Sequence, residues 1–236
     1  MLILGIDTSA APCCAAIYDS EKDMVLAQTV INNKLTHSVT LMPIVEDIIK
    51  NSGIALSDID FFAVSAGPGS FTGLRIGISA VKGMAFANNK PCAEVTTNEA
   101  MAYNLAATDC IVCGAVDARC NQVFDALFRI EKGVVTRLTE EGCHKADELA
   151  KILSQYKDED IILVGDGAEL VLCECQKSEL TNVRLAPSHL RYQTGAGVCL
   201  AAVNKEQIKP EALMPMYLKL PQAQRELMAK QGIKTE

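Results

Sequence analysis

A chain of 236 residues with 49% apolar and 22% charged content buries a large core, which excludes global disorder and allows one large domain or two small ones. Its formal net charge of −7 excludes strong RNA binding by the chain alone, because that affinity rests on neutralising phosphates with Lys and Arg. No stretch approaches the roughly 18 uninterrupted apolar residues of a membrane span. The opening MLILGIDTSAAP carries Asp7 and no basic leader, so a buried strand, no membrane partner and a cytoplasmic location are expected.

In chain order, LILGIDTS reads as a short buried strand ending in Asp7. CCAAIYDSEKDMVLAQTV alternates as two hairpin strands joined at Asp19 to Asp23. From Ser38 to Asn51, Leu41, Met42, Ile44, Val45, Ile48 and Ile49 recur at helical spacing, and Ser52 and Gly53 end the helix. A strand IDFFAVSAG follows, then a glycine-rich turn and a helix to about Asn88. The segment from Cys110, IVCGAVDARCNQVFDALFRIEKGVVTRL, repeats the apolar run, the Asp and the two strands. A helix over 146–156, a strand IILVGDG and a helix from Ala168 complete the second half.

Each half reads strand, hairpin, helix, strand, helix, which an internal duplication explains. The expected fold is α/β, with two duplicated βββαβα lobes of the actin-like, Hsp70-type ATPase (ASKHA) architecture. The boundary falls between Thr97 and Asp109, giving an N-terminal lobe over 1–104 with the glycine-rich turn and the interface helices. A shorter lobe with a C-terminal helical segment is expected over 105–236.

The ten cysteines sit in apolar runs and are expected to be reduced core residues. Cys110 and Cys113 have C-x-x-C spacing, but three residues apart on a strand they face opposite sides and cannot grip one zinc ion. The chain from Lys205 onward is mildly basic, with Lys209, Lys219, Arg225, Lys230 and Lys234 against Glu206, Glu211, Glu226 and Glu236. A solvated surface accounts for it better than an RNA contact does.

The stretch AGPGSFTGLRIGISAVK, Ala66 to Lys82, matches neither the dinucleotide nor the P-loop pattern. It links a strand to a helix N-terminus, where Ser70 or Thr72 serves as cap and the free N–H groups are the alternative site for an anion.

Taken together, GPGSFTGLRIG, the opening GIDTS, His37-Ser38 ahead of Leu41, Met42 and Pro43, VDARCNQVF (116–124) and PMYLK (215–219) resemble the TsaB family over nearly the whole chain. The resemblance implies a bacterial subunit of the machinery that installs threonylcarbamoyl on the adenosine beside the anticodon in tRNAs reading codons that begin with A. It implies as partners the catalytic paralogue TsaD and the ATPase TsaE, with a homodimer when the chain is alone and tRNA contact only through the complex.

The residues favour a partner over a catalyst. The catalytic paralogue carries H-x-x-x-H for a metal; here His37 is followed by Leu41, and His144 and His189 lack ligand spacing, so no metal site is expected. Asp7 is followed by Thr8 and Ser9, and Asp117 by Ala118 and Arg119, so neither phosphate turn keeps a glycine. Asp7, Thr8 and Ser9 are the only candidates for a nucleotide contact, and no cofactor is expected. Ser9, Ser65 and Ser70 lack the G-x-S-x-G elbow of a serine nucleophile, so no catalytic residue is assigned.

On a helical wheel the apolar residues of the first helix cover about 220°, more than the ~100° stripe that one sheet requires. The helix over 74–87 is apolar nearly all round, and Gly77, Ala80, Met84 and Ala87 leave a close-approach sector. The expected interface is therefore Leu41, Val45, Ile48, Ile49, Leu74, Arg75, Gly77, Ile78, Val81 and Met84, with Arg75 and Arg119 reaching across the seam. Coverage by the C-terminal helix is the alternative. The rival function is a stand-alone ATP-dependent enzyme, either a kinase or a threonylcarbamoyl transferase.

Overall fold

The computed structural model describes residues 1–33 and 35–219. The C-terminal helical segment, and with it Arg225, Glu226, Lys230, Lys234 and Glu236, lies outside the described residues. Among the described residues no helix is long and apolar enough to cross a membrane.

The first half forms β1 (Leu2–Asp7), β2 (Cys13–Asp19), β3 (Met24–Ile31), α1 (His37–Ser52), β4 (Phe61–Gly67), α2 (Phe71–Ala87), β5 (Cys92–Thr96) and α3 (Thr97–Tyr103). The second repeats the order with β6 (Cys110–Asp117), β7 (Gln122–Glu131), β8 (Val134–Arg137), α4 (Ala146–Leu153), β10 (Ile161–Val164), α5 (Ala168–Lys177), β11 (Val183–Leu185) and α6 (Gly195–Ala202). The extra β9 (Gly142–Lys145) pairs antiparallel with β7. The duplication is thus βββαβαβα, one strand and one helix longer in each half than the periodicity indicates.

The sheets run β3-β2-β1-β4-β5 and β11-β10-β6-β7-β8. In both, the hairpin strands pair antiparallel and the strands reached through helices pair parallel. Turn chemistry fixes the hairpins. Lys132 and Gly133 adopt φ of 51° and 82°, as a primed two-residue turn requires, and Asp23, at 49°, closes the four-residue loop between β2 and β3. Helix α1 stops at Gly53, whose φ of 69° suits a glycine C-cap.

Helices α1 and α2 cover the outer face of the first sheet, where Leu41, Ile44, Val45, Ile48, Ile78, Val81 and Met84 close over Leu4, Ile6, Phe62 and Val64. Helices α4 and α5 cover the second sheet in the same way, through Leu149, Leu153, Val171 and Cys175. The closing helices lie against each other between the lobes. Val198 and Cys199 of α6 pack on the first sheet, while Met101 and Ala102 of α3 pack on the second. Gly5 makes the α6 contact possible, since a Cβ there would stand 2.6 Å from Cys199 Sγ.

A cut at residues 104 and 105 therefore separates the sheets but not the packing units. After the second sheet the chain returns to the first lobe, where α6 packs, Ile208 bridges Cys92 and Leu213 joins the outer core. An ion-pair network adds a tie between lobes. Arg137 donates to Glu141 Oε1 (3.1 Å) and Thr96 Oγ1 (2.9 Å), and Lys205 Nζ meets Glu99 Oε1 at 2.8 Å.

Seven of the ten cysteines are buried, and burial pushes the Cys13, Cys92, Cys110 and Cys175 thiols up to about 11. Cys120 and Cys173 are exposed, so the expectation of a purely interior set fails at those positions. Cys120 lies in the turn between β6 and β7, and Cys173 lies on the solvent-facing side of α5.

Candidate functional site

A cleft of about 500 Å³ opens between the lobes at the carboxyl ends of β1, β4 and β6. Ser9, Gly69, Ser70, Phe71, Asp117, Arg119 and Asp166 line it, together with the 216–219 segment. This is where strands of an open α/β sheet present a ligand site. The structure brings the two aspartate turns of the duplicated pattern together here.

The first turn is closed by its own neighbour. Ser70 N–H donates to the Ser9 carbonyl at 2.6 Å, and Thr8 Oγ1 donates to the Gly73 carbonyl at 2.8 Å. A Cβ on Gly69 would run into the Ser9 carbonyl, and one on Gly73 into the Thr8 carbonyl. The glycines of GPGSFTG thus let two backbones touch, which is a packing role and not a phosphate cradle. Ser70 is the helix cap, accepting from Gly73 N–H, as the sequence indicated.

Asp7 is fully buried beneath this contact. Its Oδ1 accepts from Ser9 N–H (2.7 Å) and Ser9 Oγ (2.6 Å), while Oδ2 has no partner among the described residues. Burial is the main cause that raises its pKa from 3.8 to about 6, against the hydrogen bonds from Ser9 and the charge of His37, which lower it. His37 Nε2 lies 2.8 Å from the Ala10 carbonyl, to which Nε2–H donates, and Nδ1 is buried with no partner among the described residues. One helical turn on, Leu41 is in the core.

A testable consequence follows from the Asp7 shift. The folded state holds a proton on Asp7 more tightly than the unfolded chain, so this contribution to stability is fully present below about pH 4 and lost as pH rises through about 6. The loss amounts to about 3 kcal/mol. Urea denaturation of Asp7→Asn should gain on the parent by that order between those pH values; parallel profiles would refute it.

The second turn is built differently. Arg119, Cys120 and Asn121 all adopt positive φ, at 64°, 55° and 61°, a costly run for residues with side chains. Asp117 Oδ1 accepts from Arg119 N–H (2.8 Å), and the Arg119 guanidinium lies 3.1 Å from Asp117 Oδ2. Asp166, from the GDG stretch, accepts Asp117 N–H at 2.8 Å, and burial raises its pKa. Arg119 is therefore engaged by its own turn, and Arg75 by Tyr217 Oη at 2.9 Å; both seam candidates have partners within the chain.

The interface residues expected from the sequence need correction. Leu41, Val45, Ile48, Leu74, Gly77, Ile78, Val81 and Met84 are buried in the outer core of the first lobe, Ile49 is half-buried and Arg75 alone is exposed. The physical reason is that α1 and α2 pack on the sheet below and on each other, so each uses a wider apolar arc than one sheet requires. Gly77 faces Thr8 and Val64 of its own lobe and not a neighbouring helix. The apolar surplus is real but sits elsewhere, at Val39 (66% exposed), Met42 (41%) and Phe86 (73%). Between Arg75 and Phe86 the outer stripe of α2 is Ser79 and Gly83, and a Cβ on Gly83 would meet nothing within 4 Å. Phe71, Asp166, Tyr217 and Lys219 are cleft residues that sequence reasoning did not assign, although Tyr217 and Lys219 stand in a motif it singled out.

A family model described as "TsaD: tRNA N6-adenosine threonylcarbamoyltransferase" matches residues 24–227. The chain is 27% identical over 225 residues to a Bacillus subtilis tRNA threonylcarbamoyladenosine biosynthesis protein TsaB, covering 95% of this chain and 96% of that one. It is 34% identical to the Escherichia coli TsaB over 172 residues, which cover 71% and 72% of the two chains. Among solved structures, YeaZ from Pseudomonas aeruginosa superposes with a TM-score of 0.74 at 25% identity, covering 92% of this chain and 99% of that one. The fold, the order of motifs and these near full-length similarities together establish that the chain belongs to the TsaB family.

Proposed function

We propose that this chain is a non-catalytic, cytoplasmic subunit of a tRNA threonylcarbamoylation complex that docks a TsaD-like catalytic paralogue through the outer face of α1 and α2. The observation that carries this reading is the contact of the glycine-rich turn with the first aspartate turn. The donors that a phosphate would need, the Thr8 hydroxyl and the Ser9 and Ser70 N–H groups, are bonded to the Gly73 carbonyl, Asp7 Oδ1 and the Ser9 carbonyl instead. What the first lobe offers to a partner is the helical layer bearing Val39, Met42 and Phe86. The same face serves a homodimer when the chain is alone, and the net charge of −7 fits tRNA contact through the complex only. A TsaE-like ATPase completes the assembly.

The test is a modification assay with purified components. Catalytic paralogue, TsaE-like ATPase, tRNA and threonylcarbamoyl adenylate should give modified tRNA with this chain present and little without it. The chain should co-purify with the paralogue and give no turnover of ATP or tRNA on its own. Turnover by the isolated chain would establish the stand-alone enzyme in its place.

A further inference from the structure

Residues 214–219 cross the mouth of the cleft and are anchored on both sides of it. On the first lobe, Met214 N–H donates to Glu94 Oε1 and Met216 N–H to the Ala66 carbonyl, each at 2.7 Å. Gly67 makes the second contact possible, because its φ is 127° and a Cβ there would meet the Met216 carbonyl at 2.5 Å. Tyr217 stacks on Phe71 with ring centroids 4.4 Å apart, and the Arg75 guanidinium lies 3.9 Å from the Phe71 centroid. On the second lobe, Leu218 packs against the cluster that contains Phe124. Lys219 Nζ donates to the Ala118 carbonyl (3.0 Å) and Gln122 Oε1 (2.7 Å), 5.6 Å over the Phe124 ring.

Two consecutive residue pairs thus hold opposite walls of one opening. Met216 and Tyr217 hold the end of β4 and the start of α2, which flank the glycine-rich turn, while Leu218 and Lys219 hold the turn after β6. We propose that residues 214–219 form an intramolecular strap that ties the two lobes across the cleft and sets the angle between them. The strap stabilises the 118–122 turn in particular. That turn holds three residues at positive φ, and Lys219 supplies two of its hydrogen bonds from outside the turn.

The strap works within one chain and does not depend on the partner reading, so the isolated protein tests it. Tyr217→Ala removes contacts with Phe71 and Arg75 on the first lobe only. If the strap ties the lobes, amide hydrogen exchange in the second-lobe turn 118–122 should speed up roughly tenfold, with exchange in β6 and β10 unchanged. Lys219→Met keeps an apolar stem over Phe124 and removes only the donors on the second lobe. It should loosen the first-lobe turn 66–73 by a similar factor, and it serves if Tyr217→Ala perturbs folding. Loosening confined to the mutated residue's own lobe, or none in either variant, would overturn the strap.

Discussion

Replacing Val81 by aspartate is expected to unfold the chain and not merely to disrupt an assembly. Val81 is fully buried in the layer between α2 and the first sheet, among Ile78, Met84 and Val64. No cation neighbours it in that cluster, so the carboxyl enters as an unpaired group in an apolar site. The cost of an uncompensated buried charge is about 3–5 kcal/mol, a large share of the ~5–15 kcal/mol that stabilises an ordinary domain. Ile48→Asp acts on the same cluster from α1 and should cost as much. Chemical denaturation monitored by circular dichroism checks both. A variant that unfolds with the parent's midpoint would contradict the packing described here.

That outcome differs from what the helical pattern alone leads one to expect, and the difference shows what sequence can carry. Periodicity locates α1 to within a residue at each end and the end of α2, while α2 starts at Phe71, three residues before the apolar pattern does, because the cap at Ser70 and not the period sets its first turn. It does not say which part of a wide apolar arc meets the sheet, which meets the neighbouring helix and which meets solvent. Val39 and Leu41 are both apolar and two residues apart; only the arrangement of the layer exposes the first and buries the second. Helix α6, GAGVCLAA, is missed for a related reason. It is covered nearly all round between the lobes and carries two glycines, so it has no polar face to give a period. The short strands β5 and β11 have five and three residues, too few for a pattern. At the site, the paired aspartate turns are legible from the duplication. The closure of the first by the glycine-rich turn is not, since it depends on contacts between Ser9 and Ser70 and between Thr8 and Gly73, far apart in the chain.

Substituting glutamate at both Val39 and Met42 should abolish docking on the catalytic paralogue while leaving the monomer intact. The two side chains lie one helical turn apart on the outer face of α1, Val39 66% and Met42 41% exposed, and neither belongs to the outer core cluster. Val39 stands three residues after the N-cap Thr36, in a first turn without an acidic residue. Glutamate there completes a capping-box pattern and faces the positive end of the helix dipole, so the melting temperature should hold or rise slightly. At an apolar interface the same charges must be desolvated. Losing two apolar anchors costs enough to weaken association by roughly a hundredfold. Titration calorimetry against the paralogue reads the affinity, and the modification assay should fall with it. Val134→Glu is the matched control, since Val134 is similarly exposed on β8 of the other lobe and outside the helical layer. Unchanged affinity in the double variant, or an equal loss in the control, would remove α1 from the docking face.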